Sequence, residues 1–330
     1  MEPPQSLTVA AIKALDASAG NPPFRGVFVL RRVTQRAAKN GNPFLVIDVG
    51  DRTGSFMFNA FSDSPVFSAV KSVAEGDAVR VEGRVEYYQD RLSPRILKLD
   101  VVPAEELGAL LETLIESAPE DSAALWAEFQ QHIAAISDAT LRATVESVFN
   151  EIGDAFRTAP AAIAMHHAYR CGLLEHTVHM ARACRALLPL YPEVHADLAL
   201  AGVLLHDIGK TDEYVAGLAT RRSRAGILQG HVVLGYRHVR KAGIVQKLSP
   251  DLLERLEHII LSHQGELEWG AAAMAATPEA IFVSLVDNLD AKMGMVQRAL
   301  RQATPGEEFS DFLPGLKAPV VIVPPPPTAD

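Results

Sequence analysis

The amino-acid sequence predicts a multidomain protein in which a small all-β barrel precedes an all-α domain. Between Phe24 and Val102, short runs rich in β-branched and aromatic residues alternate with turn signals. From Ala104 onward, apolar residues recur three and four positions apart, which is the spacing of one face of a helix. A length of 330 residues and a hydrophobic content of 48% are sufficient for two packed cores.

The β-rich part predicts five strands and one short helix. Apolar and charged residues alternate over 79–82, as in a strand with one buried face, while Asn40-Gly41 and the segment 51–54 are typical of turns. A short helix at 65–73, between the third and fourth strands, is the arrangement of an OB-fold barrel. The predicted strands cover residues 25–30, 43–49, 54–59, 78–83 and 93–100.

Composition and periodicity divide the chain into five parts. Residues 1–19 are an N-terminal segment, and residues 20–103 are the OB-fold, the predicted nucleic-acid-binding domain. Residues 104–158 form a helical bridge, and residues 159–303 form the domain that carries the chemistry. Residues 304–330 are rich in proline, and we expect this tail to be extended or disordered. The helices predicted in the bridge cover residues 105–116, 123–136 and 141–156.

The charge of the chain is unevenly distributed. The formal net charge is −9, yet residues 20–103 carry 12 basic against nine acidic side chains. Only the barrel could therefore serve as a general platform for a polyanion. Neither a signal peptide nor an apolar run of transmembrane length occurs, so we expect a cytoplasmic protein. Cys171 and Cys184 have no metal-ligand spacing and predict two buried, reduced thiols.

OB-fold barrels bind single strands by combining stackable rings with a cationic groove. Neighbouring residues on a strand face opposite sides, so one of Tyr87 and Tyr88 should be exposed. For each aromatic residue taken alone, packing in the core is the favoured alternative. The candidate contacts are Tyr87, Tyr88, Arg84, Phe56, Phe58, Arg31, Arg32 and Arg91.

The pair His206-Asp207 ends an apolar helical run, 199–205, that should be buried. Two strongly polar side chains are costly there unless something charged satisfies them. A divalent metal does so, and imidazole and carboxylate together accept Mn²⁺, Fe²⁺, Co²⁺ or Zn²⁺. Lys210 lies one turn further on, beside the predicted metal, and indicates an anionic substrate. Its alternative role is to interact with the C-terminal dipole of the helix.

Further histidines and an aspartate lie in or at the ends of later and earlier helical segments. In chain order the set is His176, His206-Asp207, His231, His263 and Asp287. This order on successive helices resembles the HD phosphohydrolase superfamily over residues 159–301. With the preceding barrel, and with the segments 166–176, 206–210, 230–231, 265–270 and 287–292, the chain resembles the YhaM family of bacterial 3′-to-5′ exoribonucleases over residues 24–301.

The resemblance implies a metal-dependent phosphodiesterase that acts on single-stranded RNA, with single-stranded DNA open as a second substrate. It implies one or two divalent ions, with Mn²⁺ favoured and Co²⁺, Fe²⁺, Mg²⁺ or Zn²⁺ as alternatives. It assigns the core metal ligands to His176, His206, Asp207 and Asp287, and the ligands of a second metal to His231 and His263. Asp207 and Lys210 are then the catalytic residues, with Asp207 bridging the metals and Lys210 stabilising charge on the phosphate or protonating the leaving oxygen.

Residues around this set are assigned supporting roles. His166 and His167 are candidate contacts to an RNA phosphate or terminal nucleotide, with structural hydrogen bonding as the alternative. The basic run Arg221, Arg222 and Arg224 suits phosphate contacts, or is a solvated loop. Asp290, Gln264 and Glu266 are candidates for supporting the ligands.

The chain departs from the family pattern at Gln264. The family reads Ser-His-His-Gly, whereas residues 262–265 read Ser-His-Gln-Gly. An amide is a poorer ligand than imidazole for a transition metal, so the departure weakens or removes the second metal.

Two other functions remain open from the sequence. One is an HD-type hydrolase of a nucleotide or cyclic dinucleotide, with the barrel regulatory. The other is a nucleic-acid-binding protein whose metal site has degenerated. A homo-oligomer is compatible with each of them.

Overall fold

The structure is a computed structural model that describes residues 6–15, 20–38, 41–88, 91–163, 167–215, 217–218, 220–303 and 307–322. It divides into two compact units. The first contains Met1–Glu116 and Ala216–Thr220, and the second contains Ser117–Val215 and Arg221–Asp330. This division lies at 116/117, whereas the sequence predicted a separate bridge between 103 and 159. Among the described residues, no helix is long and apolar enough to cross a membrane.

The first unit is built on a five-stranded antiparallel sheet. The strand order is β3-β2-β1-β4-β7, and a short helix, α2, lies between β3 and β4 as predicted for an OB-fold. The first strand is longer than expected, and it continues past an irregularity between Leu30 and Arg32 to pair with β2. The elements are α1 (Val9–Lys13), β1 (Pro23–Ala37), β2 (Pro43–Asp51), β3 (Gly54–Phe61), α2 (Phe67–Lys71), β4 (Ala78–Arg84), β5 (Tyr87–Tyr88), β6 (Arg91–Leu92), β7 (Arg95–Val101) and α3 (Ala104–Leu114).

Aromatic residues fill the core of the barrel. Phe56 packs edge-on against Phe24 and Phe28, and Phe58 lies on the same inner face of β3. Phe56 and Phe58 are 5% and 2% exposed, so neither can stack on a base. The interpretation of these two residues as nucleic-acid contacts is therefore wrong, because alternation along β3 turns both of them inward.

The N-terminal segment belongs to the barrel rather than preceding it. Val9 and Ile12 of α1 are fully buried in the barrel core. The backbone N–H of Val9 donates to the Asp51 carboxylate at 2.8 Å, and Leu7 donates its N–H to the carbonyl of Arg25 at 2.7 Å. These bonds explain why the described part of the predicted N-terminal segment packs with the first unit.

The bridge helices are where the sequence predicted them, but they are shared between the two units. Helix α3 belongs to the first unit, whereas α4 (Ser122–Ala134) and α5 (Ala139–Thr158) pack in the core of the second. A cluster of aromatic rings explains the second assignment: Phe129 of α4 contacts Phe149 and Phe156 of α5, with ring centroids 4.7 and 5.1 Å apart. Amphipathic periodicity predicts that a helix is buried on one side, but not which core it joins.

The second unit is all-helical, with one small β-ribbon, β8 and β9, before α9. Helix α7 is apolar on all sides and is buried along its length from Leu198 to Leu205, as expected for a central helix. Its elements are α4 (Ser122–Ala134), α5 (Ala139–Thr158), α6 (Gly172–Leu187), α7 (Ala196–Leu205), α8 (Lys210–Glu213), β8 (Tyr214–Val215), β9 (Arg221–Arg222), α9 (Arg224–Val245), α10 (Pro250–Ser262) and α11 (Pro278–Gln302).

The C-terminal tail is ordered over part of its length. Phe309 pairs with Val321 and Leu313 with Ala318, so residues 307–322 fold back on themselves rather than being simply extended. The predicted extended or disordered state of 304–306 and 323–330 concerns residues outside the described part of the chain.

Candidate metal centre

Two of the histidines directly follow the ends of helices. His206 directly follows α7 and His263 directly follows α10. The last carbonyls of a helix lack partners within it. Nδ1–H of His206 donates to the carbonyl of Val203, and Nδ1–H of His263 donates to that of Ile260, both at 2.7 Å. Each helix end therefore fixes its histidine, with Nε2 directed away from the helix.

The other two histidines lie beside carboxylates. Nδ1 of His176, in α6, lies 2.6 Å from Oδ2 of Asp290, and Nδ1 of His231, in α9, lies 2.9 Å from Oε2 of Glu213. A partner on one ring nitrogen determines which nitrogen is presented to a metal. All four histidines consequently direct Nε2 toward the same place.

The first cluster is formed by His176, His206, Asp207 and Asp287. Nε2 of His176 lies 3.2 Å from Nε2 of His206 and 3.3 Å from Oδ1 of Asp287. Oδ2 of Asp207 lies 3.1 Å from Nε2 of His206 and 3.7 Å from Nε2 of His176. Two imidazoles and two carboxylates from α6, α11 and the turn after α7 thus converge on one point, and His176, His206 and Asp207 could hold one ion.

The second cluster is formed by Asp207, His231 and His263. The other oxygen of Asp207, Oδ1, lies 3.5 Å from Nε2 of both histidines. These three atoms are also close enough together to hold one ion. Asp207 is therefore common to both clusters, with one oxygen directed to each.

The donor set fits divalent metal ions. Oδ1 of Asp207 is buried and has no hydrogen-bond partner among the described residues. A buried carboxylate oxygen without a partner is costly, and a cation between it and the facing Nε2 atoms removes that cost. Imidazole and carboxylate are ligands that Mn²⁺, Fe²⁺, Co²⁺ and Zn²⁺ all accept.

Lys210 balances part of this negative charge. Its ammonium lies 2.5 Å from Oδ2 of Asp207, and its side chain is almost completely buried. Burial alone would raise the pKa of Asp207, but Lys210 and His206 outweigh it and hold that pKa well below its usual value. Burial would likewise lower the pKa of Lys210, but Asp207 outweighs it and raises that pKa. Both groups are therefore charged at neutral pH.

Two glycines shape the backbone around His231. Gly230 adopts φ +71° immediately before His231, and this residue breaks α9 into two helical parts. At Gly209, a Cβ would lie 2.0 Å from the carbonyl oxygen of His231. Any larger residue at 209 would push away the backbone that carries His231.

His167 is buried instead of facing a substrate. Its side chain has no exposed surface, and Nδ1 lies 2.8 Å from both the Tyr169 hydroxyl and Oε2 of Glu175. Nε2 lies 3.0 Å from Oδ2 of Asp290. The direct RNA contact predicted for His167 is thus contradicted, because carboxylates on both sides of the ring take up its two nitrogens. His166 lies outside the described residues.

Asp290 connects this buried network to the first cluster. Its Oδ2 contacts His176 and His167, and its Oδ1 lies 3.4 Å from Nδ1 of His179. Burial opposes the charged form, but the hydrogen bonds from these histidines hold the pKa of Asp290 far below its usual range. The geometry matches the supporting role predicted for Asp290.

Sequence reasoning missed Glu175 and Glu213, although both are buried. Tyr169 donates its hydroxyl hydrogen to Glu175, and Glu213 faces His231. For Glu175 the available signal was the one used for His206 and Asp207, because an acid inside an apolar helical segment needs partners. Glu213 lies in the polar segment Lys210–Glu213 and gave no such signal.

The remaining candidates near the centre lie at different depths. Gln264 is half-buried and contacts His231 and His263, whereas the Glu266 side chain is exposed in the turn before a 3-10 turn at Leu267–Trp269. Arg221, Arg222 and Arg224 are exposed, and Nε of Arg222 lies 3.5 Å from Glu213.

On the barrel, the predicted contacts are only partly available. Tyr87 is 38% exposed, with its hydroxyl 3.4 Å from the carbonyl of Leu15, and Arg84 is exposed and donates to the carbonyl of Asn21. The side chain of Tyr88 lies outside the described part of the structure. An unforeseen pair lies on the outer face: Phe44 and Phe61 stack across β2 and β3, 5.3 Å apart, and Phe61 is 48% exposed.

Comparison with known proteins matches both units to families. Residues 28–102 match the OB-fold nucleic acid binding domain, and residues 173–292 match the HD domain. Two solved structures resemble the chain in part. A replication protein A heterotrimer bound to single-stranded DNA is 18% identical over 34% of this chain and 93% of that one, with a TM-score of 0.26. A nucleic acid-binding lipoprotein from Klebsiella pneumoniae is 19% identical over 30% and 92%, with a TM-score of 0.25. Likeness at this level supports no conclusion about the chain.

One curated relative spans both units. The 3′-5′ exoribonuclease YhaM of Shouchella clausii (strain KSM-K16) is 32% identical over 286 residues, which are 87% of this chain and 88% of the relative. This match confirms the resemblance seen in the motifs, and the two family matches confirm an OB-fold followed by a helical HD domain. HD domains are metal-dependent, and the converging histidines and aspartates agree with that chemistry. The chain belongs to the YhaM family of 3′-5′ exoribonucleases.

Proposed function

We propose that this chain is a cytoplasmic, metal-dependent exoribonuclease that removes nucleotides from the 3′ end of single-stranded RNA. The observation that carries the proposal is the convergence of four imidazole Nε2 atoms and two aspartates on one buried place, with Asp207 shared between two clusters. The relative that spans 87% of the chain is itself a 3′-5′ exoribonuclease. Two free, buried cysteines agree with a reducing compartment.

His176, His206, Asp207 and Asp287 would hold the first ion, and Asp207, His231 and His263 the second. Divalent ions bound there would supply an activated water and neutralise charge on the phosphodiester. Mn²⁺ is the proposed ion because the resemblance to the YhaM family favours it, and the mixed imidazole and carboxylate ligands accept it, as they do Fe²⁺, Co²⁺ and Zn²⁺.

Charged residues of the chain would bind and orient the phosphate. Lys210 keeps its positive charge next to Asp207, where it would stabilise negative charge developing on a phosphate oxygen. The exposed run Arg221, Arg222 and Arg224 follows Lys210 in the chain and would contact phosphates further along the RNA.

The barrel would bind the single strand without reading its sequence. The exposed ring of Phe61, supported by Phe44, offers a stacking surface on the face formed by β2 and β3, which OB-folds use for oligonucleotides. Arg84, beside Pro23 at the opposite end of β1 from Phe44, would contact the strand at a separate place, as would Tyr87. Because every base has a stackable face, we expect binding of both RNA and single-stranded DNA.

The test is a labelled-RNA assay with metal-depleted protein. With Mn²⁺, a 5′-labelled single-stranded RNA should give a ladder that shortens from the 3′ end, and without metal it should stay intact. Asp207→Ala should bind the RNA but not shorten it. Hydrolysis of only mononucleotides or cyclic dinucleotides would contradict the proposal, as would RNA binding without turnover at every metal concentration tested.

A further inference from the structure

Gln264 occupies a special position in the second cluster. It directly follows His263, and its amide nitrogen lies 3.1 Å from Nε2 of His263 and 3.1 Å from Nε2 of His231. These are the two nitrogen atoms of the second cluster. The side chain is half-buried, so it is held against them rather than extended into solvent.

The hydrogen-bonding capacities of these groups match. Nδ1–H of His263 donates to the carbonyl of Ile260, and Nδ1 of His231 faces the Glu213 carboxylate. With the proton on Nδ1, each Nε2 presents a lone pair. A side-chain amide nitrogen carries two N–H donors, so Gln264 can donate one hydrogen to each imidazole.

A metal ion would need the same two lone pairs. A metal ion bonds directly to the imidazole nitrogen, at about 2.0–2.1 Å for Zn²⁺, so it cannot share these lone pairs with an amide nitrogen that is hydrogen-bonded to both. The third atom of the cluster, Oδ1 of Asp207, accepts no hydrogen bond from Gln264 or from any other described residue. The amide therefore satisfies the histidines but leaves the carboxylate oxygen available to a cation.

We propose that Gln264 is a latch on the second metal site: its amide competes with the second cation for the lone pairs of His231 and His263. The first cluster, with two imidazoles and two carboxylates, then fills first. The second ion binds only when the amide turns away, and so it binds more weakly than the first. This inference rests on the proposed metal centre.

The experiment is a Mn²⁺ titration of the metal-depleted full-length protein without RNA, followed by calorimetry and by electron paramagnetic resonance. We expect two classes of site in the wild type. In Gln264→Ala the weaker Kd should fall about tenfold, because the two hydrogen bonds from the amide no longer oppose the ion. Gln264→His should bind the second ion more tightly still, since imidazole replaces the amide as a ligand.

The matched control is Gln297→Ala, an exposed glutamine on α11. It should leave both Kd values unchanged, and thermal unfolding checks that all variants are folded. An unchanged or weaker second site in Gln264→Ala would overturn the latch, because Gln264 would then be neutral or a ligand. Failure of the proposed function gives a different result. In that case His206→Ala would bind as much Mn²⁺ as the wild type.

Discussion

Replacing Asp290 with asparagine should weaken the first metal cluster without removing any of its ligands. Oδ2 of Asp290 lies 2.6 Å from Nδ1 of His176 and 3.0 Å from Nε2 of His167. Asparagine keeps the shape of the side chain but removes the charge and exchanges one oxygen for an N–H₂ group. If the amide nitrogen takes the place of Oδ2, His176 and His167 both lose their acceptor, and if the amide oxygen takes it, both keep only a neutral acceptor. In either case the contact that fixes the ring of His176 for metal binding is lost or weakened.

Two independent arguments give the same loss of Mn²⁺ affinity for Asp290→Asn. A hydrogen bond to a charged group contributes about 1.5–3 kcal/mol. Loss of a carboxylate that orients a metal-binding histidine lowers metal affinity by about 10–100-fold. At about 1.4 kcal/mol per tenfold, the second range is about 1.4–2.8 kcal/mol. We therefore expect the Kd of the tighter Mn²⁺ site to rise about 10–100-fold.

The assay is calorimetric titration of Mn²⁺ without RNA, together with RNA cleavage as a function of Mn²⁺ concentration. Cleavage should recover most of the wild-type kcat at saturating Mn²⁺, and KM for RNA should stay the same. Asp154→Asn, an exposed aspartate on α5, is the control. An unchanged Mn²⁺ Kd in Asp290→Asn would refute the reasoning, as would a raised KM for RNA with normal metal binding.

Three further changes test other parts of the structure. Burial lowers the pKa of His176, but its carboxylate partners outweigh this and raise it to about 10, above the value of about 6.5 in an unfolded chain. In metal-depleted protein, the charged form of His176 therefore contributes its full stabilisation of the fold below about pH 6.5. That contribution is lost as the pH rises through about 10. The free energy of unfolding, measured in urea as a function of pH, should show this decline. An equally steep decline in His176→Gln would contradict the assignment to His176. Gly209→Ala should lower the free energy of unfolding by about 1–3 kcal/mol, because the added Cβ would lie 2.0 Å from the His231 carbonyl oxygen. The control is Gly108→Ala, where the added Cβ lies in open space, and it should be neutral or stabilising by up to about 1 kcal/mol. Equal melting temperatures for the two variants would count against the close approach at Gly209. Phe61→Ala should weaken RNA binding by about 1–3 kcal/mol without changing the stability of the fold. The buried Phe56→Ala should instead lower the free energy of unfolding by about 3–5 kcal/mol. Unchanged RNA binding in Phe61→Ala would exclude this face of the barrel from the RNA interface.

The sequence predicted the elements well because their signals are local. Apolar periodicity placed α4 and α5 within two residues of their observed ends, and the buried run before His206 correctly indicated a central helix. The packing partners of α4 and α5 were not predictable, because the contacts between Phe129, Phe149 and Phe156 depend on where separate helices meet.

The candidate site was predicted as a set of residue types, but not in its supporting contacts. His167 looked like a substrate contact because it stands outside any apolar helix, yet it has φ +45° and is enclosed by carboxylates from two helices. Nothing local in the sequence places Glu213 beside His231. Such contacts form only when distant segments pack together.

The barrel shows what strand alternation can and cannot reveal. Phe56 and Phe58 share one face of β3, and alternation alone places Phe61 on the other. The stack of Phe61 on Phe44 depends on the register between β2 and β3, which the sequence pattern did not supply.

The most direct test of the metal centre is the anomalous scattering of Mn²⁺ in crystals of the full-length protein. At low Mn²⁺ we predict one peak bounded by His176, His206, Asp207 and Asp287, and at high Mn²⁺ a second between Asp207, His231 and His263. Manganese bound only elsewhere, with no peak within ligand distance of Asp207 at any concentration, would contradict the account.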